Sequence, residues 1–170
     1  MILGLAIENF VLLHVGVSFV GIISGVAALL ALAAGRWLPG WQIVFLASTT
    51  ATSVTGFMFP IGGLTPALVV GGLSLAALTI ATAAWVVGFP RAHAVTAYAV
   101  SATAALYLNL FVLVVQSFQK IGALQALAPT QSKAPFVSAQ IGLLAACLVL
   151  GWKVRSSGLN LNSGLRVKLT

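Results

Sequence analysis

No charged side chain interrupts the chain between residues 10 and 34, and the stretches 64–88 and 94–118 are equally free of charge. About 20 consecutive apolar residues let a helix cross the hydrocarbon of a bilayer, and in that solvent a helix satisfies its own backbone. The competing reading, a buried core in a soluble protein, fails on composition. Apolar residues make up 61% of the 170 and charged residues 5%, so nothing polar remains to surround such a core.

The expected fold class is therefore an all-α integral membrane protein, a bundle of five transmembrane helices over 10–34, 41–59, 64–88, 94–118 and 135–152. A basic polar tail follows at 153–170, read as a disordered segment on the inner face. Gly and Pro punctuate the runs in GRWLPG (35–40) and PIGGLTP (60–66), and FPRAH (89–93) reads as a tight reversal. The connection 119–134 is polar towards its end and has room for a short interfacial turn. Pro135 suits the first turn of the last helix.

The second span is the weakest, because six of the eleven residues in LASTTATSVTG are Ser or Thr. Charge placement supports keeping it. With five spans and an external N-terminus, Arg36, Arg91, Lys153, Arg155, Arg166 and Lys168 fall inside, and Lys120, Lys133 and Glu8 fall outside. Dropping the second span leaves a less biased division of the basic residues. Trp37, Trp41, Trp85 and Trp152 then sit near the inner boundary, as an interfacial belt would.

The net charge of +7 lies between apolar runs and in the tail, the pattern of topology signals; no basic-aromatic patch for nucleic acid is present. Cys147 is the one cysteine, so an intramolecular disulfide is excluded. The opening MILGLAIENF lacks the basic start and small-residue cleavage pattern of a removable signal.

Helical projection groups polar residues with small ones. In the fourth span Tyr98, Ala102, Ala105, Asn109, Gln116 and Lys120 share a sector, with Leu106, Leu110, Val114 and Phe118 left to meet lipid. In the first span His14, Ser18, Gly21, Gly25 and Ala28 form a matching stripe. Ser48, Thr52 and Thr55 share a face of the second span, and Gln140, Leu144 and Cys147 one of the last. Small residues permit close helix approach, and amides bond across the seam. Ser18, Gly21, Gly25, Ala102 and Ala105 are the expected packing positions. His14, Asn109, Gln116 and Gln140 all fall in the outer half and form a candidate polar cluster. It reads first as interhelical glue, and second as a site for a quinone head or similar small molecule.

Other chemistries lack their parts. His14 and His93 fall on the order of 25 Å apart in depth at 1.5 Å per residue, so a haem bridged by the two is disfavoured, and no cofactor is expected. His14, His93, Cys147 and Glu8 show no metal-ligand spacing. With no Asp and a single Glu, a carboxylate pair or a Ser-His-Asp relay is missing, which argues against an enzyme. Coupled transport commonly uses intramembrane carboxylates or histidines, and His14 alone lies clearly within a span.

The segment YLNLFVLVVQSFQKIGALQALAPTQSKAPF, with FLASTTATSVTGFMFP and HVGVSFVGIISG, resembles a group of small multi-spanning bacterial inner-membrane proteins with no established activity. The similarity covers residues 10–150 and excludes the basic tail. It implies a bacterial inner membrane and brings no substrate, cofactor or functional residue with it. The function expected is a non-catalytic accessory or structural subunit, packing in a larger membrane complex or with itself and contacting lipid. The alternatives are a quinone- or small-lipid-binding protein and, behind it, an uncoupled carrier or channel.

Overall fold

The computed structural model describes residues 2, 4–60, 63, 65–88 and 91–167, with side chains up to residue 160. The described residues form helices and no strand: α1 (Ile7–Ala33), α2 (Pro39–Gly56), α3 (Pro66–Ala83) running into a π-helical turn (Ala84–Gly88), α4 (Ala92–Lys120), the short α5 (Gly122–Leu127) and α6 (Ala134–Val167). Four helical segments are long and apolar enough to cross a membrane: Ile7–Ala33, Pro66–Gly88, Ala92–Lys120 and Ala134–Asn160. The Ser/Thr-rich α2 is not among them.

Local chemistry sets the boundaries. Gly35 adopts φ +73°, and Arg36 N–H returns to the Ala31 carbonyl at 2.8 Å, so α1 ends in a left-handed turn that favours glycine. Pro39 and Pro66 open α2 and α3 in the first turn, where a missing N–H costs nothing. Thr65 caps α3 by accepting from Leu68 N–H at 3.4 Å.

The long helices run alternately up and down around α4. The order of neighbours is α1, α2, α3, α4, α6 and back to α1, with α1 and α4 also touching across the middle. One end of the bundle, here the Trp37 end, gathers the α1–α2 turn, the π turn and the start of α4. The other, the His14 end, holds the N-terminus, α5 and the start of α6. The apolar core lies towards the Trp37 end, where Leu29, Leu32, Phe45, Leu78, Tyr98, Leu106 and Val154 pack together. In α4 every fully buried residue lies between Ala94 and Leu106.

Two sequence expectations change. The last helix does not stop at Trp152: α6 continues to Val167, and the first turns of its extension, as far as Gly158, pack against the bundle. Val154 is fully buried, and Ser157 Oγ donates to the Ala33 carbonyl at 2.7 Å, satisfying an acceptor that α1 leaves open at its end. Residues 168–170, including Lys168, lie outside the described residues. Leu106 is buried in the core rather than lipid-facing, because α1, α3 and α6 all contact α4 and leave it few free faces. The four tryptophans differ in burial. Trp152 and Trp41 are exposed, whereas Trp37 stacks edge-on against Trp85 at 5.6 Å and Tyr98 at 5.5 Å.

Candidate functional site

The polar side chains of the bundle concentrate where α1 meets α2. The two helices pack antiparallel in steady register, so each step down α1 meets a step up α2. Phe10 stacks on Phe59 at 5.1 Å. His14 Nδ1 meets Thr55 Oγ1 at 2.8 Å, with its ring edge-on to Phe59 at 5.2 Å. Below them Gly21 faces Ser48 and Thr49, and Gly25 faces Phe45. Last, Gln42 Nε2 donates to the Ala28 carbonyl at 3.2 Å. The stripe His14, Gly21, Gly25, Ala28 is thus the face that α1 turns to α2, and α4 closes the seam from the side.

The two glycines in this stripe act differently. A Cβ on Gly25 would stand 2.6 and 2.7 Å from two Phe45 ring carbons and 3.0 Å from Leu106 Cδ1. Only a hydrogen fits there, and the Phe45 ring fills the seam. A Cβ on Gly21 would stand 2.8 Å from Thr49 Oγ1, 3.3 Å from Ser48 Oγ and 3.4 Å from Asn109 Nδ2. At Gly21 the missing side chain makes room for polar atoms from α2 and α4.

Those polar atoms are incompletely satisfied. Thr49 Oγ1, Thr52 Oγ1 and Asn109 Nδ2 are buried and have no hydrogen-bond partner among the described residues. Thr49 is 1% exposed. A buried polar group left unpaired costs roughly 1–3 kcal/mol. Neighbouring hydroxyls solve the same problem locally: Ser48, Ser53 and Thr55 each donate back to the carbonyl four residues earlier. These internal bonds, with the apolar face of Phe45 and Leu46, let a Ser/Thr-rich α2 sit between α1 and α3.

Beneath Phe45 the arrangement is complete. Gln42 and Tyr98 are both 0% exposed. Tyr98 donates its hydroxyl to Gln42 Oε1, while the Gln42 amide nitrogen holds the Ala28 carbonyl. One amide thereby joins α1, α2 and α4. The sequence offered one cue to it, a lone glutamine in the apolar stretch WQIVF; its partner lies 56 positions away.

Among the described residues none of the four residues of the candidate cluster bonds to another. His14 pairs with Thr55. Asn109 points its amide nitrogen towards the Gly21 position. Gln140, on α6, donates to the Phe111 carbonyl at 3.3 Å. Gln116 is exposed, two turns beyond Asn109 and outside the buried part of α4. Of the packing positions, Gly21, Gly25, Ala102 and Ala105 are buried, and half-buried Ser18 donates to the His14 carbonyl at 2.7 Å. His93 is exposed at the Trp37 end, opposite His14. Among the described residues no three His, Cys, Asp or Glu side chains gather in a way that could hold a metal ion.

A separate cavity of about 310 Å³ opens at the His14 end, between the end of α4 and the start of α6, lined by Phe118, Gln119, Gln125, Thr130, Gln131 and Phe136 among others. It carries amides over an aromatic floor, where Phe118 and Phe136 stack edge-on at 5.5 Å. No protein-family model, no curated protein and no solved structure matches the chain.

Proposed function

We propose that the chain is a five-span protein of a bacterial inner membrane, with its N-terminus outside and its basic C-terminal segment inside. It acts as a non-catalytic accessory or structural subunit in a larger membrane complex or a homo-oligomer. The observation that carries this reading is the surface of α6. Only 11% of its most apolar window is buried within the chain, less than in any other candidate span. Ser138, Gly142 and Ala146 follow one another at four-residue spacing on that exposed side, the pattern that lets a second helix approach closely. Meanwhile His14, Gln42 and Gln140 bond to the chain's own helices, as glue does.

The test is the mass of the intact particle after mild extraction into nanodiscs, for wild type and Gly142→Leu. A Cβ on Gly142 would meet nothing within 4 Å, so the substitution leaves the fold intact and blocks only an outside helix. The wild type is expected as a multi-chain particle and the variant as a single chain. A wild type that runs as a single chain contradicts the proposal. Topology has its own check in a Cys147→Ala background. Arg36→Cys is expected to be shielded from an impermeant thiol reagent added outside, whereas four spans without α2, oriented with Arg91 and the basic tail inside, would expose it.

The competing reading, a quinone or small lipid held by His14, Asn109, Gln116 and Gln140, has less support, because Gln116 faces outward and His14 is already paired. A co-purifying quinone in the same preparation would favour it instead.

A further inference from the structure

We propose that the seam between α1, α2 and α4 is a hydrated cleft: water enters at the His14 end and is held around Gly21 by Thr49, Thr52 and Asn109, with the Phe45 ring as its floor. The inference stands apart from the subunit reading and rests on four observations.

Three buried side-chain atoms, on α2 and α4, have no partner among the described residues. Thr49 and Thr52 are one turn apart on α2, and Thr49 Oγ1 and Asn109 Nδ2 both approach the empty Cβ position of Gly21. Buried polar groups with no protein partner are where ordered water is found, provided several of them converge. Second, the path outward is polar. Ser18 and the His14–Thr55 pair lie between this nook and the end of the bundle. Third, Asn109 lies beyond the buried part of α4, which runs from Ala94 to Leu106, and the apolar core gathers towards the Trp37 end. Fourth, the wet stretch has a dry boundary. Phe45 seats against Gly25 and Leu106, and the Gln42–Tyr98 pair beneath it is satisfied by protein alone.

The chemistry selects water over other small ligands. The amide nitrogen of Asn109 only donates, whereas the threonine hydroxyls donate or accept. A molecule that both accepts and donates satisfies all three. A cation would meet the Asn109 donor, and no cationic side chain stands at the nook to hold an anion. Thr49 Oγ1, Ser48 Oγ and Asn109 Nδ2 all stand within 3.4 Å of the Gly21 Cβ position, which excludes a ring.

Water-edited solid-state NMR of the labelled protein in lipid bilayers tests this directly. Side-chain signals of Thr49, Thr52 and Asn109 are expected to receive magnetisation from water as quickly as exposed Thr130, with Gln42 and Ser24 several-fold slower. Thr49→Val is expected to slow the transfer to Asn109 while leaving the backbone shifts of α4 in place. Transfer to Thr49 and Asn109 as slow as to Gln42 in the wild type overturns the proposal. In a folded Phe45→Ala protein Gln42 should join the fast group; if it stays slow, Phe45 is not the floor.

Discussion

The two ends of the α1–α2 seam meet the same requirement in opposite ways. At the Trp37 end one glutamine, one tyrosine and one backbone carbonyl close on each other, with Trp37 stacked over the tyrosine. On the other side of Phe45, Thr49 Oγ1, Thr52 Oγ1 and Asn109 Nδ2 have no partner among the described residues. Both sets are buried in an apolar bundle, so polarity alone does not distinguish them. What differs is packing: the closed network lies within the core, and the open one lies where α4 has passed its last fully buried residue. Where helices are pressed together at the Trp37 end of this seam, the polar groups bond to each other, although Thr103 Oγ1, buried between α4 and α6, has no partner among the described residues. Where the helices part, water can complete the set.

The sharpest way to break this comparison is to remove its divider. Gly25→Leu forces a side chain into the Phe45 ring and Leu106, and is expected to cost about 3 kcal/mol or more, read as loss of the folded form in detergent unfolding. Gly21→Leu should be milder, since it first meets hydroxyl and amide ends; equal losses would refute the difference drawn between the two glycines. Next comes Tyr98→Phe, which leaves Gln42 Oε1 unpaired in the closed network and should cost about 1–3 kcal/mol. A variant as stable as wild type would mean the network is not closed. Ser157→Ala removes the bond to the end of α1, an expected loss of about 1 kcal/mol, and would test whether the C-terminal extension is held in place. The smallest effect is expected at Thr49→Val. A bridging water is nearly as good a partner as protein, so stability should move by less than about 1 kcal/mol. A dry seam would instead gain about 1–3 kcal/mol when its orphan hydroxyl is removed.

Much of the seam was legible before any fold was known. The stripe from His14 to Ala28 follows from helical spacing alone, and it is the face α1 presents to α2. Ala102 and Ala105 were equally readable and are equally buried. Gln116 was not, although it projects onto the sector of Asn109. A projection gives the direction of a side chain but not the point along the axis at which neighbouring helices stop covering it. Leu106 failed for the converse reason, since projection onto one contact face cannot reveal that α4 is surrounded. The C-terminal extension misled through composition. KVRSSGLNLNSG reads as solvated, yet Val154 and Gly158, four residues apart, turn one buried face to the bundle.

The sequence by itself determined that the chain is helical, with helices long and apolar enough to cross a membrane. Long uncharged runs leave a chain only helices, and Gly, Pro and Thr mark their ends through backbone sterics that act locally. It also determined which helix faces carry small and polar residues, because that depends only on a fixed turn angle. The tertiary structure alone decided which of those faces meet and at what register. That choice made Gln42 and Tyr98 partners, set the Phe45 ring against Gly25, and left Thr49 Oγ1 and Asn109 Nδ2 without partners among the described residues. Such pairings depend on shape complementarity between segments far apart in the chain, and no local rule encodes it.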